Sequence, residues 1–325
     1  MTDALLTTGS QPPVSLAPGE DYALGIDLGG TEIKAASMRL PDGACLGAET
    51  APTRDGEVEG GEPAFLGQVR RLAARHEGAL GKAARHIGLS APGLANKPGS
   101  AIAFMPGRLR GLEGLVWKSA LDRRHIVPVL NDAHAALMGE SWLGAARGLD
   151  DVVMLTLGTG VGGAIISGGR LLRGHIGRAG QLGHLTIDFK GEPDICGTPG
   201  SVEGAIGEAT VQRRSGGKFS NSEALAAAAA VGDPQAAAVW LESVRALAAA
   251  VVSIVNAVDP EAIVIGGGIA RAGDQLMRPL QGFMDEMEWR PDGAQVRLCF
   301  AELGIWAGAF GAAYHAWQSA RQQRV

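Results

Sequence analysis

The sequence has little cysteine: Cys45, Cys196 and Cys299 are the only three in 325 residues, and they lie far apart. An odd, scattered set excludes a disulfide framework and fits a reducing compartment, so a cytoplasmic protein is expected. A lysine–arginine block is also missing. The formal net charge is −5, and Arg123-Arg124 and Arg213-Arg214 are isolated pairs that read as solvated surface. No nucleic-acid partner is expected on that basis. No uninterrupted apolar stretch is read as long enough to span a membrane, and residues 1–20 lack a basic start followed by an apolar core. No membrane partner is expected. Residues 1–21, which hold Thr, Ser, Gly and Pro, read as a flexible tail.

What the chain does have is glycine placed in patterned turns. Ala23-Leu-Gly-Ile-Asp-Leu-Gly-Gly-Thr-Glu-Ile-Lys34 is an apolar run reaching Asp27, then Gly29, Gly30 and Thr31, then an alternating stretch. The pattern predicts strand, tight turn, strand. Glycine lets such a turn approach an anion closely, its N–H groups can cradle phosphate, and Asp27 can hold a cation alongside. On its own, a Gly-Gly hairpin is more often only a hairpin. Asp151-Val-Val-Met-Leu-Thr-Leu-Gly-Thr-Gly-Val-Gly-Gly-Ala-Ile-Ile166 repeats the plan, with Gly158, Thr159 and Gly160 in the turn. Two such units over a hundred residues apart suggest a duplicated fold gripping one polyphosphate.

Between and beyond these units, helical spacing over Glu62–Arg75 is followed by an apolar strand from His86 and a loop-rich stretch from Asn96 to Gly114. Ile126-Val-Pro-Val-Leu-Asn-Asp132 predicts a strand ending in two polar residues at the mouth of a helix. Polar groups at that end of an α/β strand point toward ligand, although Asp132 could equally cap the helix. His184 sits three residues after Gln181, and Glu203 stands near the start of a short helix. Alanine-rich helices over Ser222–Ala230 and Asp233–Val258 precede a strand ending in Gly266, Gly267 and Gly268, where close backbone approach suits a base or ribose. The alternation of hairpins and helices points to α/β architecture in two lobes.

At this point the order of motifs resembles a known family. Asp27-Leu-Gly-Gly-Thr31, Asn131-Asp132, Leu157-Gly-Thr-Gly-Val-Gly-Gly163, Gly180-Gln-Leu-Gly-His184, Cys196-Gly-x-x-Gly-x-x-Glu203 and Gly266 to Gly268 are similar to the ROK family of sugar kinases and sugar-responsive repressors. The resemblance runs from about Tyr22 onward. It implies a two-lobed actin-like ATPase (ribonuclease H-like) fold with duplicated ββαβ-type units around a central cleft. The expected domains are a small one over 22–130 completed by a helix at 306–325, and a large one over 131–305. It implies a glucokinase-like, ATP- and Mg²⁺-dependent carbohydrate kinase, acting as a homodimer. The repressors carry a DNA-binding helix-turn-helix ahead of the first phosphate loop, for which roughly twenty flexible residues leave too little chain.

Carried onto matching positions, the resemblance makes Asp132 the general base. Asn131, Gln181, His184 and Glu203 join it around the sugar. Asp27, Gly29, Gly30, Thr31, Gly158, Thr159 and Gly160 surround the phosphates, with Asp27 toward Mg²⁺ through water, and Gly266, Gly267 and Gly268 lie by adenosine. Four departures stand out, one being that the Met105–Arg110 loop lacks the Pro-Asn and Gly-Trp signature expected of glucokinase-like members. Many relatives hold a structural zinc with one histidine and three cysteines; the matching positions here are His184, Asp194, Cys196 and Ser201, so zinc is expected to be absent. Gln181 replaces a usual glutamate, and His134 a common asparagine. The leading expectation is a sugar kinase of unspecified sugar, with a non-catalytic sugar or nucleotide sensor as the alternative.

Overall fold

The computed structural model describes residues 16–322, so residues 1–15 of the expected tail lie outside the described residues. The chain divides into two compact units. The first takes the chain up to Gly148, Arg173–Ala179, and everything from Glu302; the second takes Leu149–Leu172 and Gly180–Ala301.

The first unit is built on β1 (Asp21–Leu28), β2 (Glu32–Leu40), β3 (Cys45–Pro52), β4 (His86–Ala91) and β5 (Val129–Asn131), in the order β3-β2-β1-β4-β5. β2 is antiparallel to β1 and β3, while β1, β4 and β5 run parallel. β1 is apolar nearly throughout because both its faces are covered. Leu24, Ile26 and Leu28 join Phe65, Val69 and Leu72 of helix α1 (Ala64–Leu80) in one core. Alternation sends Gly25 and Asp27 to the other face, where the C-terminal helix Ala307–Gln322 lies. That helix comes so close that a methyl at Gly25 would meet Ala309 O at 1.8 Å.

Helix α2 (Asp132–Leu143) also packs on the C-terminal helix, where a methyl at Gly311 would meet Ala135 O at 1.7 Å. This packing carries residues 131–148 into the first unit, so the division falls after Gly148 rather than at the expected 130/131. Segment 173–179 follows for the same reason: Arg173 Nη2 donates to Asn96 O at 2.8 Å, and His134 Nε2 donates to Ala179 O at 2.8 Å. Buried Glu140 completes the joint, its Oε1 accepting from Glu302 N and Leu303 N and its Oε2 from Ala145 N.

The second unit repeats the sheet plan with β6 (Val152–Leu157), β7 (Val161–Ser167), β8 (Arg170–Leu171), β9 (Ala262–Gly266) and β10 (Arg297–Phe300), in the order β8-β7-β6-β9-β10. β7 is antiparallel to β6 and β8, and β9 is parallel to β6 and β10. Helices α3 (Val202–Ile206), α4 (Ser222–Ala230), α5 (Pro234–Val258) and α6 (Asp274–Met287) accompany it. The duplication read from the glycine turns is therefore a duplication of whole sheets.

α5 starts on an Asp233 cap with Pro234 in its first turn and ends at left-handed Asp259. It is 25 residues long and apolar enough to cross a bilayer by length and composition, although Glu242 and Arg245 interrupt its apolar run. Its Val244, Leu247 and Val251 instead pack with Val153 and Leu155 of β6 and Leu276 and Leu280 of α6.

Candidate active site

Asp27 ends the polar side of β1, beside the turn Gly29-Gly30-Thr31. Gly29 N closes the turn on Glu32 O at 3.1 Å, and the buried Thr53 after β3 staples it, Oγ1 to Gly29 O at 2.7 Å and N to Thr31 O at 2.9 Å. The N–H groups of Gly30 and Thr31 donate to no protein group among the described residues. They are therefore available to phosphate oxygens. Ser90 on β4 faces Asp27 across the ladder, and its Oγ donates to Asp27 Oδ1 at 2.7 Å. Burial pushes the Asp27 carboxyl above its usual range, against the opposing pull of Ser90 and Lys34.

At the carboxyl end of β5, the helix-capping role falls to Asn131 rather than Asp132. Asn131 Oδ1 accepts from Ala133 N at 3.0 Å and His134 N at 3.3 Å, while its Nδ2 donates to Gly93 O at 3.0 Å. Asp132 is the first residue of α2. Its Oδ1 takes Ala133 N at 2.9 Å, and the Asn131 side chain also hydrogen-bonds to the carboxyl. Solvent reaches this side chain. Even so, the protein around it and then the Asp27 carboxylate push its pKa up to about 6. A carboxylate oriented by neighbouring hydrogen bonds yet reached by solvent, titrating closer to neutrality than an ordinary aspartate, suits a general base. His134, one turn on, is buried and committed to Ala179, and burial holds it below the usual histidine range.

In the second unit the β6–β7 turn mirrors the first. Gly158 N closes on Gly160 O at 2.9 Å, and Glu208 N and Ala209 N bind the carbonyls of Gly158 and Thr159. Glu203, in the first turn of α3, is clamped to this loop: its Oε2 accepts from Val161 N at 2.9 Å, and a methyl at Gly160 would come within 2.3 Å of that oxygen. Glu203 Oε1 has no such partner among the described residues. Past β9, Gly267 is left-handed, with φ 89, and a Cβ there would lie 2.3 Å from Leu157 O, so the two glycine turns of this unit touch. Gly268 opens onto a cavity of about 730 Å³ lined also by Glu208, Asn221, Trp240, Arg271 and Gln275. Its volume and its mixed polar and apolar wall suit a nucleoside.

Gln181 and His184 flank the short turn Leu182–His184 in the same unit. His184 Nδ1 is 2.7 Å from Asp194 Oδ2, and Cys196 Sγ lies 3.5 Å from Nε2. Asp194 Oδ1 accepts from Cys196 N at 2.8 Å and Thr198 N at 3.0 Å. Burial works to raise the Asp194 carboxyl, but its hydrogen bonds from His184, Thr198, Ser201 and Cys196 outweigh it and hold the group below the usual carboxylate range. The ligand atoms of His184, Asp194 and Cys196 lie within 4.8 Å of one another, close enough to hold a metal ion. Ser201, at the fourth matching position, is fully buried and caps α3 through Gly204 N. The set thus offers one thiolate and three ligands, where a structural zinc asks for four, mostly sulfur. It fits that ion poorly.

Ser90 and Thr53 escaped the sequence reading. Each acts on a residue at least twenty positions away, and strand pairing, not local pattern, brings them in.

Three comparisons bear on what these halves do. The sequence pattern of the ROK family matches residues 23–319. A glucokinase of Thermotoga maritima is 34% identical over 279 residues, covering 79% of this chain and 85% of that protein. An N-acetylmannosamine kinase of Escherichia fergusonii is 31% identical over 258 residues, covering 78% of this chain and 85% of the relative. A ROK family glucokinase from Streptomyces griseus, solved in complex with glucose and AMPPNP, superposes with a TM-score of 0.72 at 28% identity, over 91% of this chain and 99% of the other. The fold is the α/β, actin-like ATPase fold of these neighbours.

Proposed function

The chain belongs to the ROK family, and we propose that it is an ATP-dependent sugar kinase that transfers the γ-phosphate to a hydroxyl of a hexose or amino sugar. The observation that carries the mechanism is the division of labour at the head of α2: Asn131 caps the helix, so the solvent-reached Asp132 carboxyl is not needed as the cap. Asp132 takes the proton of the acceptor hydroxyl as that oxygen attacks phosphorus. Transfer of this kind depends mainly on positioning and charge neutralisation, so orienting the hydroxyl matters as much as basicity.

In the first unit the free N–H groups of Gly30 and Thr31 are assigned to phosphate oxygens, with Gly29 shaping the turn, and in the second unit the turn Gly158-Thr159-Gly160 is assigned to phosphate as well. Gly268 lines the nucleoside cavity, and Gly266 and Gly267 lead the chain from β9 to it. Asp27 would hold Mg²⁺ through water, where the ion neutralises charge on the phosphate oxygens. Asn131, Gln181, His184 and Glu203 form the sugar side. Glu203 offers Oε1 to a hydroxyl, His184 would meet a hydroxyl through Nε2 in exchange for its Cys196 contact, and Gln181 can both donate and accept. Structural zinc has no part in this reading, because Asp194 already closes the loop with hydrogen bonds. The enzyme works as a cytoplasmic homodimer with no nucleic-acid or membrane partner. The net charge of −5 and the absence of a basic run support the last point, and the dimer rests on family resemblance.

The test is a coupled ADP-release screen of the full chain with Mg-ATP against hexoses and amino sugars, run beside Asp132→Asn. A sugar that stimulates ADP release in the wild type and fails to in the variant supports the reading. A flat panel with ATP still bound favours a sugar-responsive sensor instead.

A further inference from the structure

A basic side chain from another loop reaches the turn that follows Asp27. In the first unit, loop 105–111 lines a cavity of about 530 Å³ together with Asp55, Gly56 and Glu113. Its two acids are spent on backbone: Asp55 Oδ1 accepts from Leu109 N at 2.9 Å, and Glu113 Oε1 accepts from Met105 N at 2.5 Å. Leu109 is buried and left-handed, with φ 49, a conformation costly for a leucine and sustained only where the surroundings over-determine it. Anchoring Leu109 inward leaves Arg108 and Arg110 exposed on either side. Neither guanidinium has a carboxylate or carbonyl partner among the described residues. Arg108 reaches back over the β1–β2 turn: a methyl at Gly30 would meet its Nη1 at 3.2 Å, and nothing else that close.

An unpaired guanidinium in contact with a turn whose own N–H groups are free makes a site for an anion. We propose that Arg108 binds the γ-phosphoryl group of the donor at the Gly29-Gly30 turn and neutralises the charge that builds on it during transfer. This rests on the kinase reading above. In the step, the bond from phosphorus to the β–γ bridging oxygen of ATP breaks as the acceptor oxygen bonds to phosphorus. The hydroxyl proton passes to Asp132 and ADP leaves with the bridging electrons. Arg108 keeps its protons throughout and only holds non-bridging oxygens. A bidentate arginine matches that geometry in a way lysine does not.

Two measurements on the full chain test it, and they fail separately. Isothermal calorimetry with inorganic tripolyphosphate in Mg²⁺ buffer reads the anion site without any turnover. Arg108→Gln is expected to weaken binding by about tenfold or more, and equal affinity in the two proteins overturns the proposal. With a sugar that the wild type phosphorylates, Arg108→Gln is expected to lower kcat by about 10²–10³, the usual effect of removing one transition-state donor. The acceptor KM should stay within about threefold, with Arg108→Lys restoring only part of kcat. A loss confined to acceptor KM would make Arg108 a sugar contact and overturn the proposal. If the wild type phosphorylates nothing, the kinase reading fails, while the tripolyphosphate comparison still decides the role of Arg108. Arg108 is exposed and unbonded, so both variants should melt as the wild type does.

Discussion

Ser90 Oγ donates a 2.7 Å hydrogen bond to Asp27 Oδ1, between residues that face each other across the parallel β1–β4 ladder. Ser90 is fully buried and Asp27 lies over the start of the C-terminal helix, so the bond fixes a carboxylate that burial would otherwise drive toward its neutral form. Ser90→Ala removes the donor without adding volume. The Asp27 pKa should rise further and its carboxylate lose its fixed direction. We expect the Mg²⁺ concentration for half-maximal rate to rise several-fold and stability to fall by about 1–3 kcal/mol, the range for a hydrogen bond to a charged group. A Mg²⁺ titration of kcat with a denaturant melt checks both. An unchanged titration would detach Asp27 from the metal.

Asp132, titrating near 6, predicts a pH profile. Its ionised form is the base, so kcat/KM should hold above pH 6 and fall as the pH drops through that value. Asp132→Asn should cost about 10²–10⁴ in kcat and abolish that limb. The same group makes a stability prediction of opposite sign. Its folded pKa is raised, so the folded state binds the proton more tightly, and stability declines as the pH rises from about 4 to about 6. Asp132→Asn should therefore melt above the wild type at pH 8 and level with it near pH 4. A variant destabilised at pH 8 would contradict a raised folded-state pKa at Asp132.

Gly160 predicts a steric effect. A methyl there would lie 2.3 Å from Glu203 Oε2, the oxygen that holds Val161 N. Gly160→Ala should push Glu203 off the turn and weaken Mg-ATP binding by about tenfold or more, read by calorimetry. Glu203→Ala in the same background should recover part of the loss, because the clash disappears with the carboxylate. No recovery would place the effect in the backbone of the turn alone.

How far these features could be read in the sequence depended on range. The two glycine turns and their strands were legible, because alternating burial and turn chemistry are local signals. Asn131 and Asp132 were both visible, yet which one caps α2 is a matter of one position, finer than pattern resolves. Ser90 and Thr53 were invisible, since nothing near them in sequence points to Asp27 or Gly29. The division after Gly148 was equally hidden. It depends on α2 meeting a helix that begins at Ala307, and on Glu140 reaching Glu302 and Leu303. The length of α5 is the reverse case: apolarity alone does not say whether sheet or lipid will cover a helix, and here Val153, Leu155 and α6 cover it.

The loop from His184 to Ser201 gives the last prediction. Asp194 stands where the relatives' first zinc-binding cysteine is expected, and its carboxylate, almost fully withdrawn from solvent, accepts from His184, Cys196 and Thr198. A loop closed this way needs no ion. The purified chain should carry well under one zinc per protomer, and EDTA treatment should leave its melting temperature unchanged when Mg²⁺ is absent from both samples. Asp194→Ala should lower stability by about 1–3 kcal/mol, because the amides of Cys196 and Thr198 and the imidazole lose their acceptor together. Asp194→Cys should do the opposite of restoring this network. It replaces those hydrogen bonds with a second thiolate beside His184 and Cys196, and should raise zinc affinity while making the melting temperature sensitive to EDTA. Stoichiometric zinc in the wild type, or EDTA-dependent melting, would mean that the three ligands suffice with water and that the ion, not Asp194, holds the loop.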